Sequence, residues 1–256
     1  MVRALCLALA LLLPTAGAAQ ETKLIPVDEG ASDATWPRFK ARLLEALARR
    51  DHQFVLDIVD RKIRNMSGPD GAAEFRKLWE PQSPESPLWT ELPKLLFLGS
   101  VFVKRDAKTS ELCAPYVYYR WPENAGGNAS GAIIAKETLL KAEPAAGAAT
   151  LAALSYDLVA VADWEVADQN KNTSQKWVKL KAGAREGYVP EEHVRSPLEY
   201  RACFVQSGTR WRMTATFDPS CDSWPSRLGS ADDITRGGEP SSGWIWTSLV
   251  PSLRTA

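Results

Sequence analysis

Few residues of this chain belong to types that do chemistry near neutral pH, and they are scattered. His193 closes the turn Pro190-Glu191-Glu192-His193, and an imidazole beside carboxylates is a pairing that proton transfer uses when a second group lies within hydrogen-bond reach. Adjacency in sequence does not make Glu191 and Glu192 converge on the ring, and the ordinary reading of such a turn is a solvated one. His52 sits in the charged connection Arg49-Arg50-Asp51-His52, which reads as a solvated bend. Cys203 lies between Ala202 and Phe204 in a strand-like run; a nucleophilic thiolate would need a cationic partner that the sequence does not supply. Asp57, Asp60 and Arg61 could line a cavity if the segment carrying them faced inward, although helical positions of this type usually face solvent.

Motifs with a built-in mechanism are absent. The chain has no G-x-S-x-G, H-E-x-x-H, C-x-x-C, P-loop or G-x-G-x-x-G, so the sequence-readable routes to hydrolysis, zinc, phosphate and dinucleotide chemistry are missing. No catalytic residue, metal ligand set or cofactor is assigned. Lys and Arg number 31 against 31 Asp and Glu, a balance that argues against nucleic acid, whose binding needs a concentrated basic face. Asn65, Asn128 and Asn172 begin Asn-x-Ser sequons, which matter only in a eukaryotic secretory pathway.

The N-terminus states a compartment. Arg3, the apolar run Leu5 to Leu13 and the small residues Ala16-Gly17-Ala18 have the plan of a secretory signal peptide over residues 1–19. The expected product is periplasmic or secreted, with no membrane anchor after cleavage. Cys113, Cys203 and Cys221 remain in an oxidising compartment, where one disulfide and one spare thiol is the simplest outcome and three reduced thiols the alternative.

Helical signals come next. Asp33 or Thr35 can cap a helix with Pro37 in its first turn and Phe39, Leu43, Ala46 and Leu47 on one stripe. Phe54, Val55, Ile58 and Val59 mark a second helix, Phe75, Leu78 and Trp79 a third after the breaker Gly68-Pro69-Asp70-Gly71, and Trp89, Leu92, Leu95 and Leu96 a fourth that Pro93 should kink. Strand patterns follow at Tyr116-Val117-Tyr118-Tyr119, Ile133-Ile134, Leu158 to Val161, Trp177 to Leu180 and Gly187-Tyr188-Val189. Tyr200 to Phe204 and Trp211 to Phe217 make a hairpin through Gln206-Ser207-Gly208-Thr209. Residues 219–256 lack a sustained period and read as a disordered tail.

The strand Trp177-Val178-Lys179-Leu180, followed across a hairpin by Gly187-Tyr188-Val189, resembles the W-x-V and G-W/Y-V strands of the bacterial SH3-like (SH3b) domain over residues 131–196. The segment that opens that family's module is represented here by Leu139 to Pro144 without its Asn and Arg, so no ligand contact from that loop carries over. The flanking helices and the closing hairpin resemble the nuclear-transport-factor-like fold. Together the resemblances imply an α+β protein: a domain of residues 33–121 plus 199–217 with a small SH3-like β-barrel inserted in it, a tandem arrangement being the alternative. Insertion puts the strands near Cys113 and Cys203 in one sheet and so implies a Cys113–Cys203 disulfide, with Cys221 free. The implied function is an exported binding module for cell-wall peptide or glycan, or for a periplasmic protein. Its surface would be Tyr156, Trp177, Arg185, Glu186 and Tyr188. The alternative is an enzyme or small-ligand binder using a cavity of the α+β domain.

Overall fold

Asp33 sets the first helix. Its carboxylate accepts hydrogen bonds from the backbone N–H of Thr35 at 2.7 Å and of Trp36 at 2.9 Å, satisfying donors that a helix start leaves open. Helix α1 (Trp36–Ala48) then buries Trp36, Leu43, Ala46 and Leu47 on one stripe. Asp51 caps α2 (His52–Ile58) through the Phe54 N–H at 3.0 Å. The computed structural model describes residues 22–65, 68–127 and 129–217. The signal-peptide and tail assignments, Cys221 and Asn128 lie outside those residues.

From α2 the chain runs directly into β1 (Val59–Asn65), then α3 (Ala72–Trp79), α4 (Leu88–Phe97), β2 (Val101–Lys104), β3 (Ser110–Ala114) and the single turn α5 (Tyr116–Tyr119). Seven strands follow: β4 (Ser130–Ile133), β5 (Thr138–Lys141), β6 (Thr150–Leu154), β7 (Leu158–Ala167), β8 (Lys176–Ala182), β9 (Arg185–Pro190) and β10 (Val194–Arg195). The hairpin β11 (Arg201–Ser207) and β12 (Arg210–Phe217) completes the described chain. One sheet has five strands in the order β1-β12-β11-β3-β2, the other seven in the order β10-β4-β7-β8-β9-β5-β6. Among the described residues only β1 and β12 pair in parallel. The chain enters the second sheet at Ser130, leaves it at Arg195 and returns to the first.

This architecture corrects the expected fold class. Twelve strands in two sheets outweigh five short helices, so the protein is richer in β-structure than a balanced α+β fold, and the expected SH3-like barrel is not closed. The seven-stranded sheet ends at β6 on one side and β10 on the other. Closure would need a ladder between those edges, and β10, two residues long, is spent pairing with β4 through Val194–Ile133 and Arg195–Ala132. One local expectation also changes. Tyr116 to Tyr119 form a helical turn, because Pro115 has no N–H with which to extend the β3 ladder. Helix α4 runs through Pro93.

The main core lies between the helices and the five-stranded sheet. Trp36 stands at its centre, with ring centroids 5.1 Å from Phe204 and 4.9 Å from Trp211, and Leu43, Ile63, Phe75, Leu95, Leu112 and Met213 close around it. The second sheet buries Ile133, Leu140, Val178, Leu180 and Val189. Leu24, Val101, Tyr116, Val117 and Ala132 make a smaller cluster that joins the two sheets. Burial in it pushes the Tyr116 hydroxyl up to about 12.

Cys113 and Cys203 are register partners on β3 and β11. Their sulfurs lie at bonding distance, 2.11 Å, with Cα atoms 4.0 Å apart, so the pairing implied by the insertion is present. It closes a loop between positions 90 residues apart, which is worth about 4 to 5 kcal/mol in the chain-entropy account. The paired Cys113→Ser/Cys203→Ser variant is therefore expected to lose about that much stability in urea unfolding. The unmodified protein in strong reductant should lose a similar amount; an unchanged midpoint in both cases would show that the loop is already ordered in the unfolded chain.

Candidate functional site

A cleft of about 890 Å³ opens where the end of α4 meets the second sheet, walled by α4, β7, the loop before β8 and the segment that returns from β10 to β11. Four local events build it. Helix α4 ends with Phe97 72% exposed at the cleft, although its neighbours Leu95 and Leu96 are buried. Strand β7 carries a register irregularity between Asp163, opposite Lys179, and Val166, opposite Trp177, so that Trp164 and Glu165 together oppose Val178. Glu165 has φ of 57°, the left-handed conformation that side chains other than glycine's rarely adopt. A bulge of this kind re-aims side chains, and here Trp164 and Glu165 line the cleft.

The third event is the 3-10 turn Glu191–His193 after β9, which brings Glu191 and Glu192 to the same wall. Glu192 accepts from Gln175 Nε2 at 2.8 Å, and the same amide donates to the Lys176 carbonyl at 2.8 Å, tying the loop before β8 to the turn. The fourth is the return segment. Arg195, nearly enclosed, donates to the Tyr200 carbonyl at 2.9 Å and pairs with Glu199 at 2.8 Å, while Glu199 also accepts from the Ser196 N–H at 2.7 Å. One guanidinium thus fixes both ends of a six-residue bend.

The charges in the cleft do not cancel evenly. Lys94 is held by Glu91 at 2.7 Å, and Arg195 by Glu199. Burial pushes the Glu191 carboxyl above its ordinary range, and the neighbouring negative charges of Glu165 and then Glu199 push it further, against the weaker opposing pull of Lys176 and Lys94, which also line the cleft. Burial likewise raises Glu199, against the pull of Arg195. The site therefore offers two aromatic faces, Trp164 and Phe97, around carboxylates that repel one another, an arrangement suited to an incoming cation carried on an apolar or planar group.

The residues expected to form a binding surface are distributed differently. Trp177 is 2% exposed and donates its indole N–H to Asp168 Oδ2 at 2.7 Å. Tyr188 is half-buried in β9 opposite Lys179 and Lys141, and Glu186 pairs with Lys179 at 2.7 Å; the structure brings these two together around one lysine. Arg185 starts the same strand, exposed and opposite Ala182. Tyr156 lies elsewhere, in the turn before β7, where its carbonyl accepts from the Leu24 N–H at 2.7 Å. His193 places Nδ1 3.3 Å from Thr138 Oγ1. Asp57 lies in α2, whereas Asp60 and Arg61 belong to β1, and the space between helices and sheet is occupied by the Trp36 core.

A second cluster joins Glu111, Cys113 and Cys203, whose side-chain ligand atoms lie within 4.8 Å of one another. The sulfurs are bonded to each other and so are not thiolate ligands. The Glu111 carboxylate is already met by Arg64, by Arg105 at 3.5 Å and by the Thr214 hydroxyl at 2.8 Å. Two guanidinium groups on one carboxylate oppose a divalent cation, and the cluster reads as a buried ion-pair network beside a disulfide. Tyr119, whose hydroxyl lies 3.1 Å from Cys203 Sγ, is pushed well up by burial.

The described residues contain no helix long and apolar enough to cross a membrane. No family model, no curated protein and no solved structure matches the chain.

The raised Glu191 carboxyl fixes the sign of a pH effect. Its folded pKa lies above the unfolded one, so the folded state holds the proton more tightly. The associated stability is complete below the ordinary carboxylate range and is lost as pH rises through the folded value. Glu191→Gln is accordingly expected to unfold at a higher temperature than the unmodified protein at pH 7, and the two melting curves should converge below about pH 4. A variant that is destabilised at pH 7 would mean that Lys176 and Lys94 outweigh burial and the carboxylate neighbours at Glu191.

Proposed function

We propose that this is an exported binding protein, periplasmic or secreted, that holds an amine-bearing cell-wall peptide in the cleft between α4 and the second sheet. The observation that carries this reading is the set of lining groups: Trp164 and the exposed Phe97 around Glu165 and Glu191, on a bulge and a turn that are both tied to their surroundings. Aromatic faces give contact area at low conformational cost, and carboxylates that repel each other are stabilised by an ammonium group placed between them. A cell-wall peptide carries free amines along a short, mostly small-residue chain, and a cleft of about 890 Å³ falls within the size of sites that enclose small ligands. The disulfide fits an oxidising compartment.

An enzymatic reading has one observation in its favour, since a carboxyl pushed above its usual range is the direction in which a general acid is tuned. The same preparation separates the two. The mature protein is mixed with insoluble peptidoglycan, and both co-sedimentation and the release of soluble fragments are measured. Retention without release is expected for the binding protein. Glu165→Gln/Glu191→Gln should lower retention about tenfold, the worth of one charge-assisted contact, while its melting temperature is unchanged or raised. Equal retention by the variant would place the ligand elsewhere, with the Tyr188–Glu186–Lys179 face of β8 and β9 as the next surface to vary, and fragment release abolished by the variant would establish the enzyme.

A further inference from the structure

We infer that the cleft takes a zwitterionic end of its ligand, an amino-acid unit whose free ammonium and free carboxylate sit on one carbon, and that Lys176 receives the carboxylate. The inference rests on the reading of the cleft as a site for an amine-bearing peptide and names the part of the peptide that enters it.

Once the internal pairs are set aside, groups of both signs remain in the cleft. Lys94 is held by Glu91 and Arg195 Nη1 by Glu199, and Glu192 accepts from the Gln175 amide. Glu165, Glu191 and Lys176 line the same cleft. Among the described residues the two carboxylates have no donor, and Lys176 pulls on the Glu191 charge without an ion pair or hydrogen bond to it. Arg195 adds a second unmatched donor. Its side chain, 5% exposed, belongs to the cleft wall, and its Nε–H has no acceptor among the described residues. A buried donor left without an acceptor is destabilising, and an oxygen brought by a ligand removes that cost.

The sheet register sets these groups side by side. Lys176 stands opposite Ala167 of β7, two positions beyond Glu165. On its other flank Trp177 stands opposite Pro190, so the turn that begins at Glu191 starts beside Lys176. The middle strand therefore brings a cation and both flanking segments bring a carboxylate, across strands spaced about 4.8 Å apart.

This alternation selects the ligand. An amine without a carboxylate would meet Lys176 as a like charge and leave the Arg195 Nε–H unmatched. A carboxylate or phosphate without an amine would meet Glu165 and Glu191. An extended peptide with its charges at opposite ends presents one sign at a time to groups that alternate from strand to strand. An amino-acid end presents both signs together, its ammonium to the glutamates and its carboxylate to Lys176, and its apolar stem runs out past the Trp164 and Phe97 rings. A peptide has such an end where a diamino dicarboxylic acid is joined to the chain at one of its two ends only.

The test titrates the mature protein calorimetrically with Nε-acetyl-lysine, whose ammonium and carboxylate share one carbon, with its amide, which keeps only the ammonium, and with Nα,Nε-diacetyl-lysine, which keeps only the carboxylate. Each probe is used in L and D form and the better-bound form is compared. The zwitterion is expected to bind about tenfold more tightly than either single-charge probe, the worth of one charge-assisted contact. Lys176→Gln is expected to remove that advantage, with zwitterion binding about tenfold weaker, amide binding no weaker and the melting temperature unchanged. An amide that binds as tightly as the zwitterion, or zwitterion binding that is unchanged in Lys176→Gln, overturns this inference and leaves the amine site standing. No binding of the zwitterion also overturns it, and the cleft reading falls with it only where peptidoglycan retention is indifferent to Glu165→Gln/Glu191→Gln.

Discussion

The pairing of β3 with β11 is the constraint on which the rest of the molecule depends. These strands lie side by side with Cys113 opposite Cys203, and everything from α5 to β10 is strung between them. The five-stranded sheet cannot be completed until the chain has made the whole second sheet and come back. A pairing at such separation is entropically late to form, and the disulfide lowers that cost in the unfolded chain. Around the bond the sheet is asymmetric: Leu112, Ala202 and Phe204 face the Trp36 core, while Cys113, Cys203 and Ala215 form a small cluster of their own on the other side.

That constraint also makes the cleft. Because β11 is anchored to β3, the return from β10 to β11 has to cross from one sheet to the other within the segment 196–200, and Arg195 holds this crossing at both ends. The wall facing α4 is therefore set by the same geometry that closes the first sheet. Leu24, Tyr116 and Ala132 fill the neighbouring junction with side chains, and Lys23 clips the N-terminal segment to Asp157 at 2.6 Å. The cleft remains open beside a filled seam.

Legibility in the sequence follows interaction range. Helices α1, α3 and α4 were readable because an apolar stripe of helical period is a local signal, and Asp33 advertised its cap three residues before Trp36. Strand β1 was not: Asp60-Arg61-Lys62 gives no alternation, and this stretch is a strand only because β12, some 150 positions later, pairs with it. Tyr116 to Tyr119 carry strong strand propensity, yet Pro115 and burial against Leu24 and Val101 made them helical. A closed barrel was expected from strand spacing, which reports how many strands there are but not whether the last one meets the first. In the cleft, the Glu191-Glu192-His193 turn stood out for its chemistry. Trp164 and Glu165 did not, because a bulge is defined by the partner strand's register and leaves no mark in the sequence of its own.

Glu165 supplies the remaining step. At φ of 57° a glycine would sit without strain, whereas a residue with a Cβ gives up about 1 kcal/mol or more for the same backbone. Its carboxylate adds a second cost, because it raises the energy of the ionised Glu191 nearby. Neither cost is offset by a hydrogen bond or ion pair among those described for Glu165 itself, in contrast to Glu192, Glu199 and Glu111, each of which is held by a donor. A strained carboxylate that destabilises its neighbour, next to an indole at the mouth of a cleft, is poorly placed for the empty protein and well placed for one that has taken up a cation. Under the proposed reading, fold stability and binding pull in opposite directions at this residue, and the β7–β8 ladder on either side of the bulge is what holds it there against the strain.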